Sequence, residues 1–464
     1  MPDEPAAGDR LGRSLARSFR LPRGRYRRVA AWLDSTTGGG GLIRRELRHI
    51  FPDDWSFFFG EIGLYCFIIL VATGTYLVMF YKASVAPTVY TGRYQPLHGV
   101  VVSQAYDSVL RLSFDVRAGL LIRQVHHWAA LVFAAAIVLH LLRMFFTGAY
   151  RRPRRLNWVL GLSMLMLVIV NGVFGYSLPD DLLSGVGLRV AYSITESIPL
   201  IGPNMASLLF GGNFPSDSLI PRIYVLHILL LPGAIAGILG AHLGLLWIQR
   251  HTQYPGRKRS DRVIVGTPLV PAYALRTSGF LLMLAGLLTA MGGLFQVNPV
   301  WLYGPYKAWD STSFAQPDWY TGWLEGAVRM MPASDIHIGG FLLPGLIWPA
   351  AVLPGLVAGF LFSWPWLDAF VTRDDDLHNL LQTPRDRPGR TAIGCGLVTF
   401  LVMLLVAGGG DVYAVQFHWS LPTVVTVMRG LTLGLPFVVG LVAWGVFRRR
   451  QAAVAPVSVK ETAL

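Results

Sequence analysis

Cysteine is almost absent from the sequence. Of the 464 residues only Cys66 and Cys395 are cysteines, and both lie inside apolar stretches. Cysteines in such positions are most simply packing residues, so neither a disulfide nor a zinc site is indicated. No CxxC or CxxCH motif occurs, which excludes a c-type haem and a cysteine-held iron–sulfur cluster on this chain.

Charge is also scarce. Acidic and basic residues make up 14% of the chain, whereas soluble proteins carry roughly 25%. Hydrophobic residues make up 53%. These proportions exclude an ordinary soluble protein and favour a chain that crosses a lipid membrane several times.

Eight apolar stretches approach the roughly 20 residues that a transmembrane helix needs. The sequence therefore predicts an all-α polytopic membrane protein with eight transmembrane helices, the first four of which form a four-helix bundle. The apolar stretches cover approximately residues 56–80, 121–146, 157–177, 223–248, 277–297, 339–363, 391–409 and 429–447.

The net charge is +14, but the distribution of the basic residues argues against nucleic acid as a partner. The arginine clusters lie beside apolar stretches, in alternate connections, and the intervening loops hold many of the aspartates. By the positive-inside rule, both termini are then cytoplasmic and the chain is a multi-pass protein of the cell membrane. Besides the N-terminal arm, the clusters are Arg151–Arg155, Arg250–Arg262, Arg373–Arg390 and Arg448–Arg450.

We expect four parts along the chain. An Arg-rich cytoplasmic arm covers residues 1–45 and lacks the apolar core of a signal peptide. Residues 46–275 form the four-helix bundle. Residues 276–450 supply the other four transmembrane helices, and residues 451–464 form a cytoplasmic tail.

The second apolar stretch carries three histidines at the depth of a bilayer. His126 and His140 are fourteen residues apart, which returns them to within about 40° of one helix face and separates them by about 21 Å along the axis. His127 points to another side of the helix and is given no role. Buried imidazoles are costly in a membrane and usually functional, so one site is expected near each membrane surface.

The fourth apolar stretch repeats the pattern with His227 and His242, fifteen residues apart and about 60° from each other around the helix. Pro232, between them, can kink the helix. The second and fourth helices run in the same direction through the membrane. His126 therefore pairs in height with His227, and His140 with His242.

Two distant pairs of imidazoles suit haem iron better than zinc. Zinc usually takes four ligands around one ion, whereas a b-type haem iron takes two axial ligands. Two haems b are expected, with the four histidines as the iron ligands. Polar contacts between helices would explain one such histidine, but they do not explain four at matched heights.

Glycines at the same interval strengthen this interpretation. The first helix has Gly60 and Gly74, and the third has Gly161 and Gly175, each pair fourteen residues apart. Small residues on neighbouring helices leave room for a flat macrocycle, although a single pair is also ordinary in helix packing.

Two arginines lie three residues from the histidines of the second helix. Arg123 precedes His126 and Arg143 follows His140, at the two ends of the helix. Both are placed to bind haem propionates. Interfacial anchoring of either arginine alone is the alternative.

The sequence resembles the cytochrome b subunit of the cytochrome bc complex, the quinol:cytochrome c reductase, over about residues 44–447. The resemblance rests on the four histidines, the four glycines, GYSLP at Gly175–Pro179, Arg222 five residues before His227, and PDWY at Pro317–Tyr320. The phrases RRPRRLNWV, GYSLPDDLLSG and VLHILLLPG look like the actinobacterial branch. In the family, the His126 and His227 pair would hold the low-potential haem, and His140 and His242 the high-potential haem.

The resemblance implies an outer quinol-oxidation site around PDWY, with Asp318 and Tyr320 as catalytic residues and Pro317 and Trp319 as quinol-binding residues. Asp318 replaces the glutamate of the family's PEWY motif, so the carboxylate is kept but is one methylene shorter. Quinol oxidation releases two protons, and a carboxylate near the outer face can accept one. Gly187, in the amphipathic segment Leu182–Ile198, matches a family glycine in the same pocket.

An inner quinone-reducing site is implied between the start of the first helix and the junction of the fourth and fifth. The candidate residues are Trp55, His251 and Arg276. The family commonly has an aspartate at the start of the fifth helix, where this chain has Leu275-Arg276-Thr277-Ser278. A solvated loop histidine is an alternative for His251.

The implied function is that of a respiratory redox subunit that oxidises quinol outside, passes electrons across the membrane through the two haems to quinone, and contributes to proton translocation. The first electron acceptor must be another polypeptide, because this chain has no iron–sulfur motif. The resemblance implies a Rieske subunit, a cytochrome c subunit, a terminal oxidase, menaquinone and a homodimer of complexes. A dihaem anchor of a dehydrogenase and a proton-relaying transporter are alternatives. The anchors lack a second group of four helices with PDWY, and a transporter does not explain the glycine spacing.

Overall fold

The computed structural model describes residues 46–311, 316–332 and 334–454, together with residues 28, 31–32, 34–36 and 38. Most of the predicted arm 1–45 and most of the predicted tail 451–464 lie outside the described residues.

In the described part of the chain, eight helical segments are long and apolar enough to cross a membrane, so the predicted all-α, eight-helix class is confirmed. Numbered as spans 1 to 8, they are Trp55–Val78, Gly119–Phe146, Arg155–Ser177, Leu219–Gln249, Leu269–Leu294, Trp348–Thr372, Pro388–Gly408 and Leu421–Arg449. The last helix continues to Val454.

The predicted sixth stretch was placed too early in the chain. Residues 339–363 were expected to span, but the helical segment covers Trp348–Thr372. Gly339 and Gly340 have positive φ angles and turn the chain between two short strands, a conformation that glycine adopts without strain. An apolar run does not by itself distinguish a strand from the beginning of a helix.

Spans 1 to 4 form a bundle in which span 1 packs along span 2 and span 3 packs along span 4. An apolar core fills the bundle and extends to span 5. It includes Cys66 of span 1, Ala129 and Phe133 of span 2, and Leu288 of span 5, which are 0–8% exposed. We call the heights of the two histidine pairs the His126 level (His126 and His227) and the His140 level (His140 and His242).

Three spans contain a turn of π-helix beside a proline. In span 4 the π-turn is Leu226–Leu230, followed by the helix Leu231–Gln249 with Pro232 in its first turn. Proline has no N–H for the regular hydrogen bond, and a wider turn accommodates that loss. His227 lies inside this π-turn. The other two π-turns are Leu269–Tyr273 and Trp348–Val352.

Within the described residues, the connections contain shorter helices and three antiparallel strand pairs. The predicted amphipathic segment after span 3 is the helix Leu182–Glu196, and PDWY leads into the helix Trp319–Met330. The other short helices are Gln104–Phe114, Gly202–Phe210, Val300–Tyr303 and Gly410–Gln416, with 3-10 turns at Trp55–Phe57, Gln95–Leu97 and Pro384–Asp386. The strands pair Ile50–Phe51 with Thr267–Pro268, Pro87–Val89 with Val101–Ser103, and Ile336–Ile338 with Phe341–Leu343.

The chain divides into two compact units. In the smaller one, residues 46–53 lie with residues 264–278, and Asp53 accepts hydrogen bonds from Thr267 and Arg276. The larger unit holds the residues from 54 to 263 and from 279 onward.

Within the larger unit, Arg154 joins three loops at the His140 end. Its side chain is 2% exposed. The guanidinium donates hydrogen bonds to the carbonyl oxygens of Gln249, Arg250 and His378 and to Oδ1 of Asn379. Because four acceptors share one buried cation, the connections after spans 2, 4 and 6 are held together there.

Candidate functional site

The two histidines of the His126 level face each other across the bundle. The ring centres of His126 and His227 are 6.3 Å apart, and the ring planes are inclined by 74°. A metal ion held by both Nε2 atoms at about 2.0–2.1 Å, with each nitrogen about 1.1 Å from its ring centre, requires ring centres about 6.2–6.4 Å apart. The observed separation therefore fits one axially ligated ion between the two rings.

Hydrogen bonds at Nδ1 leave the other ring nitrogen of two of the four histidines free to act as a ligand. His227 and His242 donate from Nδ1 to the carbonyl oxygens of Asn171 and Asn157, at 2.9 and 3.1 Å. A carbonyl only accepts, so Nδ1 carries the proton and Nε2 carries the lone pair. His126 Nδ1 lies 2.9 Å from the hydroxyl of Thr73.

Each of the four glycines lies against one of the four histidines. A Cβ atom at Gly60 would lie 3.3 Å from the His140 ring, and one at Gly74 would lie 3.3 Å from the His126 ring. Gly161 and Gly175 face His242 and His227 in the same way, with Gly175 the tightest of the four. Spans 1 and 2 are antiparallel, so Gly60 lies at the height of His140 and Gly74 at the height of His126. Both pairs are fourteen residues apart, which lets both contacts form at once.

The two arginines next to the histidines carry unpaired buried nitrogen atoms. Arg143 is 9% exposed, and its Nε and Nη2 have no hydrogen-bond partner among the described residues. The guanidinium lies 4.2 Å from the ring centre of Phe57. Arg123 donates to the carbonyl of Asn298 at 3.3 Å, while its Nε has no hydrogen-bond partner in the part of the chain that the structure describes. Buried cations with free donors are suited to receive an anionic group such as a carboxylate.

A cavity at the His126 level joins the histidine pair to the PDWY segment. Its wall includes His126, His227 and Arg123 on one side and Asp318 and Tyr320 on the other. The remaining lining is largely apolar and comes from spans 1 to 4, the helix Gln104–Phe114 and the start of the helix Leu182–Glu196. A largely apolar cavity with a few convergent polar groups is the usual form of a small-molecule site.

Asp318 is held by two neighbours inside this cavity. Nε2 of His127 lies 3.0 Å from each carboxylate oxygen, and the hydroxyl of Tyr320 donates to Oδ2 at 3.0 Å. Asp318 is 8% exposed. The carboxylate therefore has a fixed orientation at the cavity wall.

His127 is the residue of this site to which the sequence assigned no role. The sequence predicted that His127 points away from the face of His126. In the structure it points toward Asp318. A second histidine at bilayer depth was the available signal, since such residues are rarely without a polar partner.

Tyr320 is fixed by close packing. Its ring lies against Gly172 of span 3, where any Cβ would overlap the phenol. Burial, together with the nearby Asp318 carboxylate, raises the pKa of Tyr320 well above its usual value of 10.0. The phenol therefore stays protonated and acts as a hydrogen-bond donor near neutral pH.

The other residues predicted for this pocket do not line the cavity. Pro317 and Trp319 are not among the cavity-lining residues, and Trp319 is 37% exposed. Gly187 does not line the cavity either. It faces the hydroxyl of Tyr176, which does, and a Cβ at position 187 would displace that tyrosine.

The candidates for the inner site are distributed over both units. In the larger unit, Trp55 is 70% exposed, and His251 packs edge-to-face on Phe57 with ring centres 6.2 Å apart. Phe57 is also the ring beneath Arg143. In the smaller unit, Arg276 makes a 2.8 Å ion pair with Asp53.

The chain is similar to known proteins over most of its length. A family model described as Cytochrome b(N-terminal)/b6/petB matches residues 131–305. A cytochrome bc1 complex cytochrome b subunit from Mycobacterium tuberculosis is 48% identical over 413 residues, which are 89% of this chain and 75% of that protein. The subunit of the same name from Corynebacterium diphtheriae is 46% identical over 404 residues, and that from Streptomyces coelicolor is 43% identical over 403. These cover 87% of this chain and 75% and 74% of the relatives.

A solved structure described as a hyperthermophilic respiratory Complex III has a similar fold. It matches 89% of this chain and 99% of its own chain with a TM-score of 0.65 and 19% sequence identity. At that identity the match supports the arrangement of the helices alone.

Proposed function

Since the chain belongs to the cytochrome b subunits of the cytochrome bc1 complex of respiratory complex III, we propose that it holds two haems b and oxidises quinol in the cavity at the His126 level. The wider proposal is a quinol:cytochrome c reductase that returns electrons to quinone at the His140 level and contributes to proton translocation.

The ring separation at the His126 level fits a haem held by two histidines, and the His140 level has the same set of residue types. His126 with His227, and His140 with His242, would hold the haem iron, and Arg123 and Arg143 would bind the propionates. A haem b at each level would supply reversible one-electron transfer. The chain contributes the ligand orientation through the Nδ1 hydrogen bonds and the space through Gly60, Gly74, Gly161 and Gly175. The low-potential haem is assigned to the His126 level by family resemblance.

The quinol would bind in the part of the cavity that Asp318 and Tyr320 line. Asp318, oriented by His127 and Tyr320, is placed to accept a proton from the quinol hydroxyl. The apolar residues of the wall would contact the quinol ring. Pro317, Trp319 and Gly187 would shape this site indirectly, through the residues on the wall.

The arginine clusters at the His140 end support an orientation in which that end and both termini are cytoplasmic. Asp318 would then face the outer side of the cell membrane. Quinone reduction is assigned to the His140 end, with His251, Trp55 and Arg276 as candidates, and menaquinone is the proposed quinone.

Membership of the complex implies other subunits. The chain has no iron–sulfur motif, so we assign the first electron acceptor to a Rieske iron–sulfur subunit. A cytochrome c subunit, a terminal oxidase supercomplex and a homodimer of complexes complete the proposed assembly.

One observation carries this proposal, namely that the His126–His227 pair and the Asp318 carboxylate line the same cavity. The test is a redox titration of the purified complex, followed by reduced-minus-oxidised spectra, with quinol:cytochrome c activity measured on the same preparation. We expect two b-type components with different midpoints and sustained turnover. A preparation with no b-type signal would overturn the haem assignment, and one with both haems but no quinol oxidation would overturn the reaction.

A further inference from the structure

A second carboxylate, Asp181, lines the cavity that Asp318 lines. It lies at the end of the PDD sequence after span 3 and is the N-cap residue of the helix Leu182–Glu196. The residue is 3% exposed. The cavity thus has two buried carboxylates on its wall, although the proposed reaction uses only one.

The surroundings of Asp181 are polar on the protein side and open toward the cavity. Ser184 Oγ donates to Asp181 Oδ1 at 2.6 Å. The titratable and charged groups within electrostatic range of Asp181 are Arg123, Tyr106, Tyr176, Tyr303 and the adjacent Asp180.

Tyr176 lines the cavity together with the two carboxylates. It lies within electrostatic range of both Asp181 and Asp318. A phenol on the wall that two acids share is suited to pass a proton between them through cavity water.

Burial raises the pKa of Asp181 to about 6, even though hydrogen bonds from Ser184 and from backbone N–H groups act to lower it. A carboxyl group with a pKa in that range exchanges its proton readily near neutral pH.

We propose that Asp181 is a proton-relay carboxylate that carries protons from Asp318 out of the quinol cavity. In this step the O–H bond on Asp318 breaks and an O–H bond on Asp181 forms. Asp181 then releases the proton to solvent, and no electron moves. The inference rests on the proposed quinol oxidation and adds the path by which Asp318 is reset for the next turnover.

Capping of the helix is the competing role for Asp181, and one substitution separates the two. Asparagine caps helices as well as aspartate does but carries no exchangeable acid proton. Asp181→Asn in the assembled complex should therefore keep the fold and both haem spectra. We expect kcat for quinol oxidation to fall at least about tenfold, with KM for quinol unchanged and the pH dependence of kcat altered around pH 6.

Asp180→Asn is the matched control. Burial raises the pKa of Asp180 to about 6 as well, but Asp180 is not among the cavity-lining residues. Its φ angle is +55°, a conformation that asparagine tolerates. This variant should keep the wild-type kcat, and its pH profile should differ only by the shift that follows from removing the charge next to Asp181. If Asp181→Asn behaves like Asp180→Asn at every pH, the relay is wrong and Asp181 is only a cap.

Two further measurements keep the test decisive. If Asp181→Asn does not assemble, Asp181→Ser supplies another good cap without an acid. Infrared difference spectra of the wild type during quinol oxidation should contain a protonated-carboxyl signal that Asp181→Asn lacks and Asp180→Asn keeps. A wild-type complex without quinol oxidation would contradict the proposed function, whereas an active wild type with an unaffected Asp181→Asn contradicts only the relay.

Discussion

His127 Nε2 lies 3.0 Å from both carboxylate oxygens of Asp318. The pair joins span 2 to the PDWY segment, 191 residues later in the chain. His127 is adjacent to His126, so the same turn of helix faces a proposed haem on one side and the proposed quinol acid on the other. Span 2 therefore holds both the proposed haem, through His126, and the proposed proton acceptor Asp318, through His127.

Replacing Asp318 with asparagine should abolish its proton acceptance while leaving its shape. We expect quinol turnover to fall by roughly 10²-fold or more, the range typical of a general base, with both b-type signals intact. Asp318→Glu is the control, because it keeps the acid and restores the family's residue. If Asp318→Asn retains the wild-type rate, Asp318 is not the proton acceptor.

His127→Gln should loosen Asp318 without removing a proposed iron ligand. A hydrogen bond to a charged group contributes about 1.5–3 kcal/mol, so a loss of roughly 10-fold to 100-fold in kcat/KM is expected. Tyr320→Phe, which removes the other contact at Oδ2, gives the comparison. The b-type spectra should match the wild type, and a spectral change at the His126 level would instead assign His127 to the haem site.

Gly175→Ala and Gly161→Ala form a matched pair with different expected outcomes. At Gly175 a new Cβ would come within 3.0 Å of both ring nitrogens of His227, whereas at Gly161 it would stay 3.6 Å from His242. The first variant should lose or shift the b-type signal of the His126 level, and the second should keep both signals. Equal spectra for the two variants would contradict the assigned positions of the haems.

The stability of the protein should fall as pH rises through the range in which Asp180 and Asp181 ionise. Burial raises both pKa values to about 6, above the roughly 3.9 of an unfolded aspartate. The folded state therefore binds more protons than the unfolded state between about pH 4 and pH 6, and stability is lost across that window. Thermal unfolding in detergent should show a smaller loss for Asp180→Asn than for the wild type. An unchanged pH dependence would contradict the raised pKa.

Arg154→Ala should destabilise the His140 end strongly. The substitution removes the donor of four hydrogen bonds, and a hydrogen bond that involves a charged group contributes about 1.5–3 kcal/mol. Arg155→Ala is the control, because Arg155 pairs with the exposed Asp375 and exposed ion pairs contribute little. The yield and thermal stability of the purified complex measure the difference. Equal stability of the two variants would contradict the bracing role of Arg154.

Helix periodicity predicted much of this fold because it depends only on local geometry. The interval of fourteen residues between His126 and His140 fixed their shared face, and the equal interval in span 1 placed Gly60 and Gly74 opposite them. The bounds of span 6 were less predictable, since Gly339 and Gly340 turn an apolar run into a hairpin.

The partner of His127 could not be predicted from a helical wheel. A wheel gives the direction of a side chain but not the distant segment that it meets, and the contact with Asp318 depends on how the loop before the helix Trp319–Met330 folds back on span 2. The π-turn at His227 was also unforeseen, although Pro232 marked its place.

Arg154 also bears on the order in which the protein matures. Its acceptors include residues before span 5 and residues shortly before span 7. Chains fold largely from the N-terminus during synthesis. A nascent chain that ends before residue 378 therefore contains Arg154 but only two of its four hydrogen-bond acceptors. The His140 end then closes only after six spans have been inserted, so in the proposed orientation that end of the bundle stays open to the cytoplasm during part of synthesis.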